Sequence, residues 1–140
     1  MDTAKNALDD LRIHVRFRIA ALWTSVMFLY IYADYFGLYV PGNLQHMLDG
    51  KMGPLGPTTQ AVLLGTSIMM AIPSVMICLT LLLKAGLSRW LNIVFGALFT
   101  AIICITMWDW KFYVVYGVIE IMLTSAVVWY AWKWPRQAGA

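Results

Sequence analysis

The sequence predicts an all-α fold, an integral membrane four-helix up-down bundle, and three observations predict it. Four apolar runs, Ile19 to Val40, Gln60 to Leu83, Trp90 to Trp108 and Phe112 to Trp134, are each long enough to cross a bilayer core at about 1.5 Å of rise per residue. Of the 140 residues, 61% are hydrophobic and 12% charged, at a mean hydropathy of +0.72. Soluble domains carry roughly 25% charged residues. Only a few residues separate the second run from the third and the third from the fourth, so these helices are antiparallel neighbours. A chain of this length leaves no room for a second folded domain beside four spans.

Residues 1–18 form an amphipathic segment, with Leu8, Leu11 and Val15 spaced for one helix face and Asp9, Asp10, Arg12 and Arg16 between them. His14 reads as an interfacial polar residue. The first span is expected to stay in the mature protein, because it is too long for a signal sequence and lacks a small-residue cleavage site. It contains a single carboxylate, Asp34.

After Val40 the chain turns at Pro41-Gly42. Asn43 is placed to cap a short interfacial helix presenting Leu44, Met47 and Leu48, and Gly50 is placed to stop it. Two prolines and two glycines between Lys51 and Gln60 then give a loop. The second span is interrupted by Pro73, which removes one backbone bond and kinks the helix. Residues 135–140 form a short tail.

Positive charge sets the orientation. Lys5, Arg12, Arg16, Arg18, Lys84, Arg89, Lys133 and Arg136 fall on one side, and Lys51 and Lys111 on the other, which predicts both termini in the cytoplasm of a bacterial inner (plasma) membrane protein. Tryptophans and tyrosines cluster near both ends of the spans as interface belts. The net charge of +3 forms no basic face, which excludes nucleic acid as a partner. Cys78 and Cys104 lie in different spans and read as small buried thiols. His46 and Asp49 are two potential ligands and make no metal site, so no metal and no cofactor are expected.

The candidate site follows from depth. Asp34 lies six residues inside Val40 and Glu120 eight residues inside Phe112, which places both carboxylates roughly 9 to 12 Å from the same end of the bundle. Ser67, Met70, Thr100, Cys104 and Tyr116 fall in the same layer, and Tyr116, four residues before Glu120, shares its helix face. A carboxylate in hydrocarbon costs roughly 2.5 to 3.5 kcal/mol, so each acid must be neutral, paired or turned to a polar cavity. Two acids facing each other there cannot both be charged. They hold a shared proton or a cation, as in relays and cation-coupled carriers, or they form a hydrogen-bonded clamp that fixes helix register. At the cytoplasmic edge, Arg89 and Asn92 are candidates for a lipid head group, against the plainer readings of a snorkelling arginine and an inter-helix asparagine bond. Gly65, Gly96 and Gly117, one in each of the last three spans, allow close helix approach.

Taken together, Tyr32 and Asp34, Ile72-Pro73, Arg89-Trp90-Leu91-Asn92-Ile93, Glu120 and Trp129-Tyr130-Ala131-Trp132 resemble an uncharacterised prokaryotic family of four-span proteins, catalogued as a domain of unknown function and distantly similar to DoxX-like membrane proteins. The resemblance runs from Arg18 to Trp134. It implies the four-span fold and no particular activity. Relatives carry a glutamate just before the Ile-Pro step, where this chain has Ala71, so a third acid is absent here.

Three functions fit these residues. The first is a small protein, expected to be a homo-oligomer, that translocates a proton, cation or small amphipathic solute through Asp34 and Glu120. The second is an accessory or assembly subunit in which the acids are clamps. The third is a binder of a lipophilic ligand, a quinone or a lipid, with Met69, Met70 and Met76 lining the pocket. No nucleophile-base set and no histidine within a span point to a catalytic residue. A transporter requires a polar face joining the acids to water, a binder a dead-end apolar cavity, and a clamp acids fully satisfied within the bundle.

Overall fold

The computed structural model describes residues 11–135. Most of the amphipathic N-terminal segment and most of the C-terminal tail lie outside the described residues. Among the described residues five α-helices occur in order: α1 (Val15–Gly37), the short α2 (Asn43–Leu48), α3 (Gln60–Leu82), α4 (Ala85–Thr106) and α5 (Lys111–Trp132). The four long ones are apolar enough to cross a membrane.

α1 begins four residues earlier than the apolar run, because the His14 side chain accepts from the Arg16 amide at 3.3 Å and caps a first turn that carries charge. α3 is capped in the same way by Thr59, whose hydroxyl accepts from the Val62 amide at 3.2 Å. At the other end of α1, the Asn43 side chain does not cap α2. It donates from Nδ2 to the Gly37 carbonyl at 3.0 Å, satisfying the end of α1, and the residue preceding α2 is Gly42 at φ +88°. α2 buries none of its residues against the bundle and leaves Leu44, Met47 and Leu48 facing outward.

The connection from α3 to α4 is only Leu83 and Lys84, and that from α4 to α5 runs over Met107–Trp110. Alternating direction brings the start of α1, the end of α3, the start of α4 and the end of α5 to one end of the bundle, here the terminal end. The opposite, or loop, end carries α2. α1 packs against both α3 and α5, α4 packs against α5, and α3 touches α4 only lightly.

The core is concentrated in the terminal half. Ile19, Trp23, Met76, Phe99, Val127 and Ala131 form its buried cluster, with the Trp23 ring edge-on to Phe99 at 6.1 Å. Gly96 and Gly117 permit close packing, since a Cβ on Gly96 would meet Val128 Cγ2 at 2.8 Å and one on Gly117 would meet Met107 Cβ at 2.7 Å. Gly65 plays no such part, having nothing within 4 Å of a Cβ position. The cysteines also depart from expectation. Cys78 and Cys104 are exposed on the outside of the bundle, because their helix rotations turn them away from the core.

Candidate functional site

In the loop half all four long helices surround a cavity of about 260 Å³, to which Asp34 and Glu120 both contribute. α1 supplies Tyr30, Ala33 and Asp34, α3 Met69 and Met70, α4 Phe99, Ile102, Ile103 and Thr106, and α5 Tyr113, Tyr116, Gly117 and Glu120. The helical repeat explains the clustering. Tyr30 lies four residues before Asp34, and Tyr113, Tyr116 and Glu120 lie three and four apart, so each set occupies one helix face.

The two acids sit differently. Asp34 reaches the outside of the bundle at the cavity rim, whereas Glu120 is only 5% exposed. Glu120 Oε1 is buried without a hydrogen-bond partner, and no other side-chain atom among the described residues is recorded in that condition. A buried polar atom left unpaired costs about 1 to 3 kcal/mol, so the fold tolerates this one rather than gaining from it. Pro73 lacks an N–H, so the carbonyl of Met69, four residues earlier on α3, loses its helical donor. Two carboxyl groups, together with tyrosine and threonine hydroxyls, are the polar side-chain groups of a mainly apolar wall that contains no basic side chain.

Toward the terminal end the cavity is closed by Phe99, which is stacked at an angle on Tyr30 at 6.4 Å and edge-on to Trp23. Beyond this aromatic layer lies a buried polar knot. Trp23 Nε1 donates to Asn92 Oδ1 at 2.7 Å, the Thr80 hydroxyl lies 3.1 Å from the same oxygen, Asn92 Nδ2 donates to the Ser88 carbonyl at 2.8 Å, and the Ser88 hydroxyl donates to the Thr80 carbonyl at 3.2 Å. Indole N–H is a donor only, which fixes the asparagine oxygen toward Trp23.

Of the residues placed in one layer by depth, Asp34, Glu120, Tyr116 and Met70 line the cavity. Ser67 is exposed on α3 and Cys104 on α4. The Thr100 hydroxyl donates to Thr124 Oγ1 at 2.7 Å, between α4 and α5 and away from the cavity. Asn92, fully buried with its amide engaged as described, makes the inter-helix bond rather than reaching a head group. Arg89 donates from Nε to the Ala131 carbonyl at 3.2 Å and from Nη2 to the Trp132 carbonyl at 3.4 Å, closing the end of α5. Tyr30 was within reach of sequence reasoning, since it precedes Asp34 by the same interval as Tyr116 precedes Glu120. Phe99 and Met107 carry no such signal. Among the described residues no cluster of three or more metal-ligating side chains occurs.

Four membrane-length helices around an acid-bearing cavity define a multi-pass membrane protein of the helical-bundle class. The chain belongs to the family of unknown function DUF6326, whose family model matches residues 9–140. Comparison with curated proteins and with solved structures gives no match.

Proposed function

We propose that this protein binds a small amphipathic cation, a protonated amine on a short apolar body, in the cavity between Asp34 and Glu120. The observation that carries this reading is Glu120 Oε1, a buried acceptor that no hydroxyl of the wall pairs with, set among apolar side chains and no basic one. A cationic ligand supplies the positive charge the wall lacks and a donor for Glu120 Oε1, and Met69, Met70 and Met107 adapt to its apolar part. The clamp reading is weaker for the same reason, since a register clamp requires its acid to be satisfied. All four long helices of one chain contribute to the cavity, so binding does not depend on a homo-oligomer. By the asymmetry of lysine and arginine, the termini lie in the cytoplasm and the cavity opens toward the outer face of the plasma membrane.

Translocation of the bound cation or of a proton is the second reading. The ladder bond missing at Pro73 and the light packing of α3 on α4 favour it, because they leave α3 freer to move. Passage requires the Phe99–Trp23 layer to part.

Equilibrium binding of tritiated hexylammonium to purified protein in lipid nanodiscs tests the first reading. Saturable binding is expected, with Glu120→Gln weaker by at least about tenfold, because a hydrogen bond to a charged group is worth about 1.5 to 3 kcal/mol. Binding of neutral hexanol as tight as that of hexylammonium, or a folded Glu120→Gln protein with unchanged affinity, would sink it. Flux of protons or hexylammonium into liposomes, abolished in folded Asp34→Asn or Glu120→Gln, supports the second reading. Wild-type protein that binds without flux removes it.

A further inference from the structure

At the terminal end of the bundle, remote from the acid cavity, lies a second, open pocket of about 580 Å³, formed chiefly by His14, Arg16, Ala85, Gly86, Arg89 and Trp134. We infer that this pocket binds a phosphate ester, held between the guanidinium groups of Arg16 and Arg89 and the first turn of α4. The inference does not depend on the proposed cation site.

Three features point to an anion with the geometry of phosphate. The first is charge, because among the described residues the lining holds two guanidinium groups and no carboxylate. The second is orientation. Arg16 donates from Nη1 to the Leu81 carbonyl at 2.6 Å, and Arg89 is tied through Nε and Nη2 to the end of α5, so both half-buried forks are held in place by helix C-termini. Each guanidinium has five N–H donors, and the ones not spent on carbonyls remain for a ligand. Fixed forks of this kind match phosphate oxygens in pairs. The third is backbone. α4 starts at Ala85 after Lys84, whose side chain makes no cap, which leaves the amides of Ala85 and Gly86 in the pocket wall without helical partners. His14 adds a donor, since its Nδ1 accepts from the Arg16 amide and the proton of the neutral ring is therefore on Nε2.

The size of the pocket and its apolar flank bear on the rest of the ligand. Its volume exceeds what a bare phosphate fills, and Trp134 lies beside Arg16, whose guanidinium carbon is 5.8 Å from the ring centroid. A glyceryl phosphate fits this arrangement, either as a phospholipid head group or as a soluble phosphate ester. An anion there contacts residues of α1 and α4 whose guanidiniums hold the ends of α3 and α5, and so joins all four long helices at one point.

The test is native mass spectrometry and equilibrium binding on the full-length protein in neutral detergent, with short-chain phosphatidic acid, glycerol 3-phosphate and short-chain phosphatidylcholine as separate probes. Retention of one phosphatidic acid per chain, with glycerol 3-phosphate weaker by about tenfold or more, supports the inference with a lipid as the source; equal binding of the two supports it with a soluble ester as the source. Arg16→Gln and Arg89→Gln are expected to lose binding at least about tenfold each. Because both arginines also close helix ends, Gly86→Glu provides the second variant. A Cβ at Gly86 meets nothing within 4 Å, and an acid in the first turn suits the helix, so the fold is retained while the carboxylate repels the anion. Binding of none of the probes, or binding unchanged in folded Gly86→Glu, overturns the inference.

Discussion

Trp23 Nε1 donates to Asn92 Oδ1 across 2.7 Å, joining α1 to α4 at a depth where neither side chain is exposed. The same oxygen lies 3.1 Å from the Thr80 hydroxyl, so one amide holds three helices in register. Replacing Asn92 with leucine strands the indole N–H in an apolar core, while the Thr80 hydroxyl keeps its bond to the Met76 carbonyl at 2.7 Å. Asn92→Leu is expected to lower stability by about 1 to 3 kcal/mol in reversible unfolding by denaturing detergent. Trp23→Phe removes a donor and part of the packing. The double variant is expected to lose less than the sum of the two, because the second change removes the group the first left unpaired. Strict additivity would dissociate the pair energetically despite its geometry.

The three span glycines give a graded prediction. Gly96→Ala drives a methyl to 2.8 Å from Val128 Cγ2 and 3.3 Å from the Thr124 carbonyl, and one of these is backbone that cannot rotate away. A loss of about 1 to 3 kcal/mol is expected, as for other overpacked sites. Gly117→Ala meets Met107, whose outer atoms can move but whose Cβ at 2.7 Å cannot move without the backbone, and it is expected to fall in the same range. Gly65→Ala faces open space and is expected to be neutral or stabilising by about 0.5 to 1 kcal/mol, since alanine restricts the unfolded chain. Thermal unfolding of the three side by side checks the order.

That order was not legible in the sequence, and the reason is rotation. Span length needs only the count of apolar residues, and depth needs only a rise per residue, so the four helices and the shared layer of Asp34, Glu120, Met70 and Tyr116 follow from the chain alone. Which face of a helix meets its neighbours is set by packing. Ser67 and Met70 lie three residues apart at almost the same depth, yet Met70 reaches the cavity and Ser67 is exposed on α3. Spans that are apolar all round carry no amphipathic signal to separate such positions. For the same reason Thr100 faces Thr124, Gly65 lacks a neighbour, and both cysteines sit on the outside.

Glu120 separates a structural acid from a ligand-binding one. Its Oε1 has no partner, so the folded protein does not depend on that oxygen as it depends on Asn92. Glu120→Met, close in volume and able to pack against the cavity methionines, is expected to match the wild type in unfolding by denaturing detergent or to exceed it by about 1 kcal/mol, while losing hexylammonium binding. A loss above about 2 kcal/mol, comparable with Asn92→Leu, would make the carboxyl a register clamp and count against the cation site.

Pro73 tests whether the break in the α3 ladder serves the cavity. Its buried ring interrupts the ladder of α3 and leaves the Met69 carbonyl without a helical donor, while Met69 and Met70 form the α3 side of the cavity. Pro73→Ala supplies the missing N–H, and a proline in a helix interior costs about 3 kcal/mol relative to alanine, so the variant has a gain available on the helix itself. Packing opposes part of that gain, because the ring is buried and its loss leaves a void. The net expectation is stability within about 1 kcal/mol of the wild type, with hexylammonium affinity reduced several-fold as the restored ladder bond shifts Met69 and Met70. Equilibrium binding and detergent unfolding on the same preparation read both quantities. Unchanged affinity would mean that the proline acts on α3 without contributing to the site.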